Sequence, residues 1–261
     1  MSIGPEDFSI LMFSFFLIAF LYSSVGFGGG SSYLAILTLV ITSFLIIRST
    51  ALLCNLIVVS GSCYLFYKKG YLNFKKFLPF VFSSIPMAFI GATYQLKETY
   101  FFILLGSALI LSAAALAFQT IRLKTNTGAR RYPNYLSYLL GGSIGLLSGL
   151  VGIGGGIFLA PVLNHLKWDK PITIAALASF FILVNSISGI AGLVLNNAFQ
   201  VFWPEIIGLL TVVLLGGQLG VRLSVGKFSA RTIKLITSIL VLFVGIRVLL
   251  NNGLGLAFFA Q

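Results

Sequence analysis

The stretch "VGFGGGSS" at residues 25–32 and its echo "VGIGGGIF" at 151–158 decide how this chain is read. Adjacent glycines leave the backbone unshielded and reach positive φ, so several N–H groups can converge on one point. A helix that begins at Gly30 or Gly156 adds the positive end of its dipole and its unpaired first-turn amides, and the natural ligand is a small anion. A single cluster of this kind in an apolar helix reads as close packing. Two at corresponding places read better as a lined cavity, because amides freed at membrane depth must be satisfied somewhere.

The chain around them is apolar: of 261 residues, 58% are hydrophobic and 8% charged, against about 25% charged in a soluble domain. This is the composition of a membrane protein. The five acidic residues, Glu6, Asp7, Glu98, Asp169 and Glu205, stand at or near the edges of apolar runs, which disfavours carboxylate chemistry at the bilayer centre. The net charge of +12 is gathered in clusters: Lys68, Lys69, Lys75 and Lys76; Arg122, Lys124, Arg130 and Arg131; Arg222, Lys227, Arg231 and Lys234. Beside apolar segments such clusters mark the cytoplasmic face and not a nucleic-acid surface. Cys54 and Cys63 share one apolar stretch and read as small hydrophobes. No basic residue precedes the first apolar run and no A-x-A-like site follows it, so residues 8–25 are expected to remain as a membrane segment.

Breaks at glycine clusters, charges and proline divide the chain into segments near 8–25, 31–47, 50–67, 75–95 and 99–121, then 135–151, 156–166, 171–196, 203–221 and 232–250. The expected fold is an all-α polytopic membrane protein built from two repeats of four to five transmembrane segments each, eight to ten in total. Residues 1–121 form the first repeat, 122–134 a basic linker and 135–261 the second. Segment 156–166 has about 11 apolar residues, which at 1.5 Å each spans only half the hydrocarbon core and reads as a half-helix.

A shift of 126 aligns Gly26, Gly28, Gly29 and Gly30 with Gly152, Gly154, Gly155 and Gly156, and shifts of 128 and 129 align Ser60-Gly61 with Ser188-Gly189 and Gly91 with Gly220. Loop charge predicts their relative orientation. The loop at 67–76 carries four lysines while its counterpart at 195–205 carries no cation, and the pattern reverses at the next loop. Equivalent loops then lie on opposite sides, as an inverted repeat requires, with the linker cytoplasmic and both termini outside.

Glycine-interrupted segments at matching positions of inverted repeats point to a binding site at the repeat interface. The candidate substrate residues are Gly28, Gly29, Gly30, Gly154, Gly155 and Gly156 with the flanking hydroxyls Ser24, Ser31 and Ser32, and Ser148 before the second cluster. Asn55 and Ser60, with Ser179, Asn185, Ser186 and Ser188 in the matching segment, form a second, symmetric polar set, and Gln218 is a candidate for the path. His165 reads as interfacial, and Arg48 and Arg247 as helix ends or snorkelling cations. No catalytic group, metal ligand set or cofactor site is expected: the chain has one histidine and no mid-membrane carboxylate.

The paired "VGFGGG" and "VGIGGGIFLAPVL", 126 residues apart, resemble the TauE/SafE family of sulfite and organosulfonate exporters, and the resemblance covers nearly the whole chain. It implies a transporter of a sulfur-containing anion, with sulfite, a sulfonate or thiosulfate as the substrate class. The copies differ in one respect: Pro161 follows the second, whereas the first has Ala35 at that place. The expectation is a secondary transporter in a bacterial cytoplasmic (inner) membrane, an exporter working by alternating access, with the lipid bilayer and a small anion as partners and a homo-oligomer compatible. An anion channel is the nearest alternative, and an intramembrane enzyme a more distant one. Gly29→Leu and Gly155→Leu are expected to separate site glycines from packing glycines.

Overall fold

The computed structural model describes residues 4–24, 26–41, 43–94, 96–122, 132–224 and 230–255. The described residues form ten α-helices: α1 (Pro5–Ser23), α2 (Gly30–Val40), α3 (Phe44–Lys68), α4 (Phe74–Thr93), α5 (Glu98–Arg122), α6 (Asn134–Val151), α7 (Gly156–His165), α8 (Pro171–Leu195), α9 (Trp203–Ser224) and α10 (Ala230–Arg247). A π-helical segment, Val248–Gly253, extends α10. Six helices, α1, α3, α4, α5, α8 and α9, are long and apolar enough to cross a membrane. The chain is a multi-pass membrane protein. Most of the linker, residues 123–131, lies outside the described residues, as do Val25 and Lys227.

Helix starts follow ordinary rules. Pro5 and Pro171 open α1 and α8 with their fixed φ, and Glu6 and Asp7 face the positive end of the α1 dipole. Asn73 caps α4 by accepting from the Lys76 N–H at 3.2 Å. One boundary differs from the sequence reading. A break was expected near 48–49, at the charge of Arg48; α2 instead ends at Val40 and α3 begins at Phe44, so Arg48 lies inside α3.

The packing has the same pattern in both halves. α4 packs on α6 as α9 packs on α1, α4 on α8 as α9 on α3, α2 on α3 as α7 on α8, and α3 meets α8 as α5 meets α10. Glycine carries the two closest of these seams. On α6, Gly141, Gly145 and Gly149 lie against Phe80, Ser84 and Ala88 of α4, so that any Cβ there would strike α4 backbone. On α9, Gly216 and Gly220 lie in the same way against Phe16 and Phe20 of α1. Small residues spaced by four let membrane helices approach backbone to backbone.

The two glycine stretches break the helices they join. α1 ends with Phe27 N–H donating to Tyr22 O at 2.9 Å and Gly26 N–H to Ser23 O at 3.1 Å, a Schellman arrangement with Gly26 at φ +83°. α6 ends with the Gly152 N–H on Ser148 O at 2.7 Å, Gly152 standing at φ +81°. From these caps the chain runs non-helically to Gly29 and Gly155, also left-handed, and α2 and α7 begin one residue later.

Candidate functional site

Each long central helix receives a glycine stretch at its middle. Asn55 is the twelfth of the 25 residues of α3, counted from Phe44, and Ile182 the twelfth of the 25 of α8, counted from Pro171. The Cα atoms of Gly28 and Gly30 lie against the Asn55 amide, so closely that a Cβ on either would collide with it. Gly154 and Gly156 lie in the same way against Ile182. Only glycine admits this approach.

Asn55 also joins the two stretches. Its Nδ2 donates to Ile153 O at 2.9 Å, and a Cβ on Gly154 would stand 3.3 Å from that nitrogen and 3.2 Å from Ser186 Oγ. From the opposite helix, Ser179 Oγ donates to Gly26 O at 2.7 Å. Thus α3 holds the second stretch and α8 the first.

Among the described residues, several polar atoms near this junction are buried without a partner: Asn55 Oδ1, Ser186 Oγ, Ser148 Oγ, Tyr33 Oη and both amide atoms of Asn185. Buried polar side chains are satisfied in the large majority of cases, so six such atoms on five residues along the two glycine stretches and the helices that receive them mark places for a ligand or water. Ser148 and Tyr33 flank the glycines: a Cβ on Gly155 would be 3.2 Å from Ser148 Cβ, and one on Gly29 would be 3.1 Å from Tyr33 Oη. Asn185 stands one turn beyond Phe181, whose ring packs on Gly155. Among the described residues, the N–H groups of Gly28, Gly29 and Gly30, and of Gly154, Gly155 and Gly156, find no acceptor.

The structure therefore brings together Gly28, Gly29, Gly30, Asn55, Gly154, Gly155 and Gly156. Other sequence candidates go elsewhere. Tyr22 Oη lies 2.7 Å from Ser32 Oγ and 3.4 Å from Ser31 Oγ, and Ser24 Oγ donates to Leu21 O at 2.6 Å, so these hydroxyls are tied to α1. Ser188 donates to Ile85 O of α4 at 2.6 Å and lines an apolar groove of about 630 Å³ between α4 and α8, a cavity that none of the glycines lines. Gln218 reaches Gly61 of α3, six residues beyond Asn55. Ser60 donates to Leu56 O on its own helix, at an exposed position. The position in α8 matching Asn55 is Ile182, so the polar set is not symmetric.

Two residues beside the glycine stretches had no role assigned from the sequence. Tyr33 carried no motif. Arg48 was read as a helix end or snorkelling cation, yet only 1% of it is exposed. It belongs to α3, two turns before Asn55, and its aliphatic stem fills the space beside Gly152. A heptad step to Asn55 was the available signal.

At the end of the bundle that carries Lys68 and Lys69, Lys76 Nζ lies 2.6 Å from Asp169 Oδ2 and about 6.0 Å over the Trp168 ring. Burial pushes the Asp169 carboxyl up, but the Lys76 ammonium, the Lys170 N–H and the Thr173 side chain outweigh it and hold the carboxyl below its usual range.

A helical membrane bundle in which two broken helices bring bare backbone to a shared polar point at mid-height has the build of a multi-pass membrane transporter. Its sequence is 32% identical over 242 residues, 92% of this chain and 97% of the relative, to a Sinorhizobium fredii (strain NBRC 101917 / NGR234) protein named "Probable membrane transporter protein y4hK". The chain belongs to the TauE/SafE family: the family described as "Sulfite exporter TauE/SafE" matches residues 11–248. No solved structure matches it.

Proposed function

We propose that this transporter moves a small sulfur oxyanion, sulfite or a simple sulfonate, through the junction of the two glycine stretches by alternating access between inverted halves. The observation that carries the reading is the meeting of Gly28–Gly30 and Gly154–Gly156 at Asn55, with unpartnered Ser148, Ser186, Tyr33 and Asn185 around it. Free amides and hydroxyls bind an oxyanion without a charge having to be neutralised by proton transfer.

The inverted-repeat reading is supported by the exchange of packing partners between halves. Each glycine stretch with the short helix after it, 26–40 and 152–165, then makes one discontinuous crossing, giving five crossings per half and ten in all. The loop charges put the basic end in the cytoplasm of a bacterial inner membrane, with both termini outside. With an inside-negative potential, export of an anion is downhill by about 2.3 kcal/mol per charge per 100 mV, so efflux needs no obligatory coupling ion. A carrier role, not catalysis, is supported by the site's make-up of amides and hydroxyls.

The test is flux in proteoliposomes. Wild-type protein should show saturable sulfite or sulfonate uptake with counterflow, Ser186→Ala should weaken it, and Ser186→Asp, which places a like charge against the anion without removing a structural hydrogen bond, should reduce it at least tenfold. Absence of any flux or competition by sulfite, thiosulfate and methanesulfonate would end the reading, and unitary conductance would turn it to a channel.

A further inference from the structure

Arg48 is a buried cation with no counter-charge. Among the described residues no carboxylate lies within 4.0 Å of it. Its hydrogen bonds come from one terminal nitrogen, Nη2, which donates to Gly149 O and reaches Ala92 O at 3.5 Å. Both acceptors belong to the last turns of α6 and α4, whose carbonyls carry partial negative charge. The Nε–H of the guanidinium is buried and bonds to nothing among the described residues. An ionised group taken out of water in this way calls for an anion, since two carbonyls offset only part of the lost hydration.

The other half shows that the architecture does not require a cation here. Where Arg48 meets Gly152, the corresponding junction has Ala175 against Gly26, with 3.0 Å between Ala175 Cβ and the place of a Cβ on the glycine. The same turn is closed by a methyl group. Arg48 is thus an asymmetric addition, on the face of α3 that carries Leu52 and Asn55 four and seven residues later. It stands where the second stretch leaves α6, about 10 Å along the helix axis from the junction at Asn55.

We propose that Arg48 is a second anion-binding position, the fixed positive charge that a sulfite- or sulfonate-class oxyanion meets between Asn55 and the end of the bundle formed by the α3 N-terminus. The proposal rests on the transport reading and adds the group that selects for charge. The free Nε–H can donate to an oxyanion while Nη2 stays on the helix carbonyls, a division of donors along a planar guanidinium that a lysine ammonium does not reproduce.

The direct measurement uses the intact protein in detergent, labelled with 15N at arginine Nε, the Arg48 resonance being assigned by its loss in Arg48→Lys or Arg48→Gln. Sulfite and methanesulfonate should shift that resonance saturably, and neutral dimethyl sulfone should not. In proteoliposomes Arg48→Gln should raise KM for sulfite by about tenfold or more, and Arg48→Lys by less. The proposal is overturned if wild-type protein transports sulfite while the resonance stays fixed, or if Arg48→Gln keeps KM within about twofold of wild type. Should the variants not fold, the full-length wild-type spectrum decides: seven arginines give few Nε signals, and a buried one that ignores saturating sulfite ends the proposal. A wild-type protein that neither binds nor moves either anion overturns the transport reading itself, and this proposal with it.

Discussion

Adjacent glycines in this chain are glycines for different reasons. Gly29 holds a left-handed φ of +86° and is also crowded, since a Cβ would stand 2.9 Å from Ile18 and 3.0 Å from the Tyr33 ring. Gly28 and Gly30 are needed because the Asn55 amide occupies the place of their side chains. Gly29→Ala is therefore expected to cost about 1–2 kcal/mol from backbone strain alone, with crowding added, read as a lower melting temperature in detergent. Leucine at Gly29 or Gly155 would disturb the fold before it tested the site, so substitutions at Ser186, whose hydroxyl bonds to none of the described residues, are the sharper probes. Asn55→Ala leaves the buried Ile153 carbonyl without its donor and should destabilise by about 1–3 kcal/mol; a melting temperature equal to wild type would remove Asn55 from the joint between the two stretches.

At the scale of elements, close helix contact depends on which face of a helix a glycine occupies. Gly145 on α6 lies against the backbone of Ser84, whereas a Cβ on its neighbour Gly142 would find nothing nearer than 3.7 Å. Gly145→Ala should then cost about 1–3 kcal/mol while Gly142→Ala costs nothing, and equal melting temperatures for the two would contradict this seam. Asp169 ties the turn between α7 and α8 to the start of α4 through Lys76. Its carboxyl is held below the usual range, so the pair's contribution is complete above the ordinary carboxylate range near pH 4 and is lost as pH falls through the lower folded value. A melting curve against pH should lose that acid step in Asp169→Asn. The short apolar run after Gly156 was legible as a half-helix over 156–166, and α7 ends one residue sooner, at His165. The boundary between α2 and α3 was not, because a charge normally ends a membrane segment, and here it is covered by α4 and α6.

In the whole molecule, the ends of the helices sort by charge. The end of α3 with Lys68 and Lys69, the start of α4 and the turn before α8 share one end of the bundle, joined by Lys76 and Asp169. The opposite end joins α4, α8 and α3 through Asn196 Nδ2 on Thr93 O at 2.6 Å and the Gln200 N–H on Ser49 Oγ at 3.1 Å. Cys54 and Cys63 are buried, so introduced thiols can be labelled above a low background. On the proposed orientation Leu195→Cys reacts with an impermeant maleimide in intact cells and Tyr71→Cys only after permeabilisation. Reaction of both from the same side would refute it.

The sequence by itself determined that this is a multi-pass helical membrane protein, that two glycine stretches interrupt it at matching places, and that its cations gather in a few loops. Those properties reside in composition and spacing, which need no partner to be read. Only the tertiary structure decided which polar groups meet. Asn55 reaches Ile153 across 98 positions and Ser179 reaches Gly26 across 153, while Ser31 and Ser32 turn to Tyr22 on their own hairpin. A polar side chain on a membrane helix takes its role from the face that neighbouring helices cover, and that face is set by packing between distant segments. Arg48 is the clearest case: the same residue would snorkel on a lipid-facing stripe, but α4 and α6 close over it and leave a charge facing inward.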